Sequence, residues 1–415
     1  MNGADRFQLF FDRTTRRTTG VGNVIRAQVK LQGIIPENQF VDLVATHDGI
    51  KLLASICPKR NWYSTLYKWK AKNPADANNI LRFHKNKNAT STIEELLCDD
   101  CSLKAGFTFR IDVVYDVDLF THVLLSINHT LMDYAGVENL LASISGNMEN
   151  LILKKPLKGE RTFLKKFADA VSATAYVAAR TSWNLRRLKK NNQVAKASIV
   201  VTQLTSIEST NVKQYLQTEI KTTALPFFVA SAVLALHKNN TLLTDIAGDY
   251  FIAVPLNRRP ASHKNVLLAN YLSFVYFHKQ DAAIAEIKKL SASFNSQMIE
   301  QARKKMPEKF ISLMDLFRFL PPVIYWAWMN LPTKGHSATF AFSLLNNSCL
   351  ENKSFMGFPV LDVIHYPPVI SPPGLNIVFT EFQAQLKIII SFDENRITKS
   401  QVQNFIAELK TNLLN

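Results

Sequence analysis

The sequence predicts an α/β protein in two domains, and three observations carry that reading. Strand-like runs alternate with stretches of helical period, as in 24–34 followed by 36–56, and again in 197–204 followed by 212–220. At 415 residues the chain is long for one domain, since domains cluster near ~100–150 residues. Between 151 and 192 lysine and arginine meet only Glu160 and Asp169, which marks a seam. The division expected from this is 1–155, a basic linker and helix at 156–195, and 196–415.

The first half opens on a polar stretch, 1–20, with no apolar run long enough for export. Val24, Val29 and Leu31 lie in an early strand, and Pro36-Glu37 starts a helix expected to run to 56. His47 beside Asp48 in that helix reads as a solvated face, because adjacent helical residues point apart. Strands are expected at 78–84 and 108–117, and then at 121–128, where Val123, Leu125 and Ile127 alternate with His122, Leu124 and Ser126. The alternation breaks at Asn128-His129, and Val137, Leu140, Leu141 and Ile144 resume at helical spacing.

In the basic segment, Phe163, Phe167, Val171, Ala175, Ala178 and Trp183 share one face of an amphipathic helix. That face either packs on the protein as an interdomain linker, the commoner fate, or lies on an anionic membrane. The second half then offers a strand at 197–204, helices at 212–220 and 227–237, and strands at 250–255 and 268–277. His237 falls at a helix C-terminus, where a cation suits the dipole. A long helix is expected at 281–306. The aromatic stretch 317–332 is too short to span a bilayer, and core packing is expected ahead of a lipid-sized pocket wall or a monotopic membrane contact. Strands at 339–343, 375–380 and 385–392 and a helix at 398–414 complete the order.

Composition narrows the function classes. With 47% hydrophobic and 20% charged residues the chain is an ordinary globular protein. Its net charge of +16 attracts anions: nucleic acid, anionic lipid, or a phosphorylated carrier such as coenzyme A or an acyl carrier protein. No zinc-finger spacing, RNA-binding signature or arginine-aromatic repeat supports a nucleic-acid partner, so none is expected. Four cysteines without a secretory signal imply reduced thiols and a cytoplasmic protein, and Cys98 and Cys101 lack the second pair or histidine cluster a metal site needs.

The chemistry gathers at His129. Of nine histidines, only this one has an aspartate four positions later, follows an apolar strand and precedes a helix. A strand terminus is a rigid mount, and imidazole titrates near neutrality, so His129 suits a general base. Asp133 either caps the helix or pairs with a cation elsewhere. There is no Gly-x-Ser-x-Gly elbow, P-loop or dinucleotide fingerprint to compete.

Asn128-His129-Thr130-Leu131-Met132-Asp133-Tyr134 resembles the His-His-x-x-x-Asp-Gly motif of the superfamily of chloramphenicol acetyltransferase, condensation domains, wax ester synthases and alcohol acetyltransferases. Asn128 stands for the first histidine and Tyr134 for the glycine. Pro255-Leu256-Asn257-Arg258-Arg259 resembles the family's Pro-x-Asn-x-Arg segment, and Ala269-Asn270 its Gly-Asn. Asn346-Asn347 resembles the Ser-Asn segment across the channel.

The resemblance implies two mixed-sheet subdomains with a channel along their interface. It assigns His129 as general base, with Asp133 and Arg259 as a structural ion pair and Arg258 as the alternative partner. Ser343, Asn346, Asn128 and Tyr134 are the oxyanion or channel candidates. The implied reaction is acyl transfer from acyl-CoA to an alcohol, with no permanently bound cofactor and no metal. Transfer from an acyl-phosphopantetheine carrier protein to an alcohol or amine is the alternative, and an inactive scaffold of the same fold is a further one. The basic amphipathic segment, not the resemblance, adds peripheral contact with an anionic membrane as an alternative.

Overall fold

The protein is described by a computed structural model covering residues 1–61, 64–71, 80–85, 88–101, 108–155, 162–180, 185–244, 248–280, 284, 286–330 and 338–414. The polar N-terminus forms helix α1 (Gly3–Thr19), started by a capping box between Asn2 and Asp5 and stopped by Gly20 at φ 78°. Its buried face is mostly polar, with Asp5, Arg6, Gln8, Asp12 and Thr15. Hydrophobic periodicity therefore gave no sign of it.

Strand β1 (Val24–Gln32) follows. The single helix expected over 36–56 is two, α2 (Glu37–Thr46) and α3 (Asp48–Ser55). His47 breaks it: its extended backbone ends the first, and its Nδ1 accepts the Ile50 amide at 3.3 Å to cap the second. His47 Nε2 also lies 3.1 Å from Ser143 Oγ. This residue is a junction and not a solvated helix face. Next come the hairpin β2 (Ile56–Arg60) and β3 (Tyr67–Ala71), then β4 (Leu81–Lys85) and α4 (Ala89–Leu97). Positions 78 and 79 of the expected strand lie outside the described residues. Strands β5 (Phe109–Tyr115) and β6 (Phe120–Asn128) lead to helix α5 (Tyr134–Ile144).

The rest of the chain runs α6 (Phe163–Ala178), β7 (Ala197–Gln203), α7 (Ser206–Tyr215), α8 (Ala224–Lys238), β8 (Asp249–Asn257) and β9 (Leu272–Gln280). Helices α9 (Ile287–Arg303), α10 (Met306–Phe317) and α11 (Pro322–Asn330) precede β10 (Phe340–Leu344). The chain closes with β11 (Ser354–Phe355), β12 (Phe358–Tyr366), β13 (Leu375–Phe382), β14 (Gln385–Asp393) and α12 (Lys399–Leu414).

These elements cluster into two compact units. The first comprises Met1–Glu160, Asn257–Leu272 and Asn347–Pro368. Its six-stranded sheet has the order β11-β12-β1-β6-β5-β4, with β6 antiparallel to both neighbours and β4 parallel to β5. The second unit comprises Arg161–Leu256, Ser273–Asn346 and Val369–Asn415, with a six-stranded sheet ordered β7-β14-β13-β10-β8-β9. Here β10 is parallel to β8 and β13, and β14 antiparallel to β13 and β7. The fold is therefore α/β with two mixed sheets, as the sequence predicted.

The units are not contiguous, which corrects the division at 155 and 195. Strand β1 leaves one edge of hydrogen-bonding groups open beside β6, and β12 covers it in antiparallel register, Arg26 opposite Tyr366 and Ala27 opposite His365. A strand from far along the chain thus completes the first sheet. In the second unit α8 is buried nearly all round, with Phe227, Val229, Ala230, Val233 and Leu236 packed among Phe340, Ile377, Phe379, Ile388 and Phe405. Phe228 stacks on Phe379 at 4.5 Å. Near that helix's end His237 Nδ1 lies 3.3 Å from the Tyr250 hydroxyl.

The basic segment differs from its expected packing in two places. Residues 185–190 are woven into the second unit: Leu185 bridges Asp249, Leu188 bridges Leu243, and Arg186 is buried with Nη1 donating to Thr244 O at 3.0 Å. In α6 the buried residues are Ala170, Ala173 and Tyr176, while Phe163, Phe167 and Val171 face solvent. Lys158, Arg161 and Trp183 lie outside the described residues. In 317–332, Tyr325 is buried but Phe319, Val323, Ile324 and Trp326 are exposed, so core packing holds for only part of that stretch.

Candidate active site

Strand β6 carries the chain to the site because its residues Val123 to Asn128 are buried between β1 and β5, which fixes its end. Beyond it, the His129 amide donates to Asn23 O at 2.8 Å, so the turn stays attached to the start of β1. Asn128 is fully buried: its Nδ2 donates to Asp12 Oδ1 at 2.8 Å, and its Oδ1 accepts from Thr130 Oγ1 at 2.7 Å and Thr130 N at 3.1 Å. Both polar atoms of that side chain are used, Nδ2 on α1 and Oδ1 within the turn. Asn128 is therefore a clamp between α1 and the turn, which removes it from the channel candidates.

The His129 ring has different surroundings on its two nitrogens. Nδ1 lies 2.9 Å from Met132 O, an atom that can only accept, so Nδ1 carries the proton. Nε2 lies 3.5 Å from Gln8 Nε2. The Gln8 amide is oriented by Asn23, whose Nδ2 donates to Gln8 Oε1 at 2.8 Å, so Gln8 presents N–H toward the imidazole. Nε2 is thus the unprotonated nitrogen, and Gln8 makes only a long contact to it, while the Asn270 side chain also interacts with the ring. His129 retains partial solvent exposure, yet burial pushes its pKa below the ordinary imidazole value, and Asp133 and the Met132 carbonyl offset this only in part. The neutral ring is the form present at neutral pH.

Asp133 does both jobs the sequence offered as alternatives. It N-caps α5 through Oδ1, which accepts the Gly136 amide at 3.0 Å. The same oxygen accepts from Arg259 Nη2 at 2.6 Å, and Oδ2 accepts from Tyr271 N at 3.0 Å. Arg259 also donates to Val266 O at 2.5 Å and His263 O at 3.2 Å, and its guanidinium lies 4.5 Å from the Tyr271 ring centre. The partner is Arg259 and not Arg258, which is exposed and donates its amide to Tyr271 O. Gly136 lets this happen: a Cβ there would lie 2.7 Å from Leu267 O, so only glycine lets the first turn of α5 approach that backbone.

Tyr134 turns toward a second buried cluster. Its ring meets His365 edge-on at 4.6 Å, and burial, with the charge of the Glu138 carboxylate it hydrogen-bonds, raises its pKa well above the usual phenol value. Glu138 Oε1 lies 2.7 Å from His365 Nε2, and Glu138 also accepts from Ser348 Oγ at 3.1 Å and Cys349 N at 2.6 Å. Burial pushes the Glu138 carboxyl up, but His365 and the Cys349 amide more than offset it, leaving it below the usual range. Ser343 and Asn346 belong to the second unit: Ser343 is half-buried on β10 opposite Val378, and Asn346 is exposed.

Sequence reasoning missed Gln8, Asp12, Glu138 and His365, none of which lies in a recognisable motif. Asn270, given little chemistry there, is 1% exposed and donates through Nδ2 to Asp5 Oδ1 at 3.0 Å and Thr130 O at 3.3 Å. It ties α1 to the turn that bears His129. Among the described residues no group of three His, Cys, Asp or Glu could hold a metal ion.

Several known structures share this fold over nearly their whole length. The trichothecene 15-O-acetyltransferase TRI3 of Fusarium sporotrichioides aligns with a TM-score of 0.72 at 14% identity, covering 100% of this chain and 94% of that one. The first condensation domain of the CDA synthetase aligns at 0.70 and 10% identity, covering 100% and 96%. The wax ester synthase/diacylglycerol acyltransferase of Marinobacter aquaeolei VT8 aligns at 0.61 and 11% identity, covering 100% and 97%. No protein-family model matches the sequence, and a search of curated proteins finds no match. The chain thus has the two-domain fold common to chloramphenicol acetyltransferase-like acyltransferases and condensation domains.

Proposed function

We propose that the protein is an acyltransferase that moves an acyl group from a coenzyme A thioester directly to an acceptor alcohol, with His129 as general base. The observation that carries this is the state of one ring: Nδ1 is committed to Met132 O, so Nε2 holds a lone pair on a neutral imidazole. Nε2 takes the proton of the acceptor hydroxyl as its oxygen attacks the thioester carbonyl, and returns it to the departing thiolate. No acyl-enzyme forms. The imidazolium made in between is stabilised by Asp133 and by the Met132 carbonyl, the interactions that raise the ring's pKa. Asp133 and Arg259 hold the turn and exchange no proton.

The fold shared with an acetyltransferase and a wax ester synthase supports an alcohol acceptor, and the net charge of +16 supports a phosphorylated donor. The shared fold with condensation domains favours a second reading, in which a carrier-bound thioester donates and an amine can accept. Incubation with acyl-CoA and a panel of alcohols and amines, following free thiol and product mass, separates them. Thiol release that depends on an alcohol supports the first reading. Inert coenzyme A thioesters with reactive carrier-bound ones would transfer the assignment to the second.

A further inference from the structure

Two exposed apolar surfaces in the second unit belong to neighbouring helices. Helices α6 and α10 pack antiparallel: Lys166 Nζ lies 3.4 Å from Asp315, Lys309 Nζ donates to Ser172 Oγ at 3.0 Å, and Tyr176 meets Phe310 edge-on at 6.3 Å. The first turns of α6 therefore lie beside the end of α10, from which the chain passes through Phe319 into α11. Helix α11 is held there by its inner side, with Trp328 edge-on to Phe317 at 4.2 Å and Tyr325 buried.

What these helices leave outside is unusual for a solvated surface. On α6, Phe163 is 69% exposed and Leu164 79%, with Phe167 and Val171 continuing the stripe. On α11, Val323 is 76% exposed, and Ile324 and Trp326 are about half exposed. Single exposed apolar residues need no explanation, but a grouped set of this size marks a binding surface. Cations border it: Lys165 is exposed beside Leu164, and the Arg318 guanidinium lies 4.8 Å from the Phe319 ring centre. The nearby carboxylates are engaged, Asp315 by Lys166 and Asp169 by Ser312.

We propose that the first half of α6 and helix α11 form one docking surface for the interfacial layer of an anionic lipid bilayer. Aliphatic and phenylalanine side chains would enter the acyl boundary, Trp326 would sit at headgroup depth, and Lys165 and Arg318 would face the lipid phosphates. Among the described residues no single helix is long and apolar enough to cross a membrane. The inference does not depend on acyl transfer.

Co-sedimentation of the full chain with vesicles of phosphatidylcholine mixed with phosphatidylglycerol tests it. We expect binding that weakens with salt, and a loss of at least about tenfold in partitioning for Phe163→Ser/Leu164→Ser and for Val323→Ser/Ile324→Ser, because each removes two exposed apolar side chains that would enter the acyl boundary. All four positions are exposed, so the variants should melt at the parent temperature. Brominated phosphatidylcholine in the vesicles should quench tryptophan emission, and Trp326→Phe should remove much of that quenching. Two results would overturn the proposal: vesicle binding unchanged in both double variants, or a solution dimer that both variants dissociate while the parent ignores vesicles.

Discussion

His129→Ala is expected to lower kcat for acyl transfer by about 10²–10⁴-fold, the range a positioned general base contributes. The effect should fall on kcat more than on the KM for the donor, because Nε2 acts on the acceptor's proton. The substitution leaves Met132 O without its imidazole donor, at a stability cost of about 1–3 kcal/mol. The fold should therefore survive, and the rate loss can be read on folded protein. Gln8→Ala makes an informative companion, since Gln8 touches Nε2 only at 3.5 Å. It should change the rate far less than His129→Ala. A His129→Ala enzyme retaining the parent rate would remove the mechanism and leave only the fold.

Breaking the Asp133–Arg259 pair should be the largest single perturbation of stability at the site. Arg259→Ala leaves a carboxylate that is only 16% exposed facing two backbone N–H groups and no cation. Removing one partner of a buried pair typically costs about 3–5 kcal/mol. For a unit of this size that corresponds to a fall in Tm of roughly 2–4 °C for each kcal/mol. Asp133→Ala should cost at least as much, because it removes the cap of α5 as well as the pair. Asp133→Asn keeps the cap geometry and should be the mildest of the three. A loss below about 1 kcal/mol for Arg259→Ala in thermal or urea unfolding would mean that the pair behaves as a solvated surface bridge.

The turn that bears His129 was legible because its two flanks have opposite periods. Val123, Leu125 and Ile127 alternate where β6 is buried, and Val137, Leu140 and Leu141 recur where α5 packs, so the break between them had to hold His129 and Asp133. Arg259 was legible only through a resembling segment, since nothing local to it points at Asp133. Helix α1 was not legible, although it supplies Gln8 and Asp12 to the turn: its buried face is polar, and polar burial leaves no hydrophobic period. Strand β12 and its His365 could not be assigned to the first sheet from sequence, because pairing across so long a separation is decided by which sheet edge is open. In α6 the periodicity was correct and its interpretation was not. A stripe of apolar residues shows which side is different, whereas small residues such as Ala170 and Ala173 let the opposite side approach α10.

The claim beneath the functional reading is that His129 stands neutral with its Nε2 lone pair available, and it can be measured without knowing the substrate. Long-range ¹H–¹⁵N correlation spectra of histidine-labelled protein, assigned with His129→Gln and titrated with pH, read both the tautomer and the ionisation of that ring. The account predicts the Nδ1–H tautomer near neutrality and a midpoint below 6.5, the ordinary value that burial depresses. By linkage, the unfolded chain then takes up this proton first as pH falls through 6.5, so this ring's share of stability is intact above 6.5 and declines down to the folded midpoint. An Nε2–H tautomer, or a ring still protonated well above 6.5, would contradict the account.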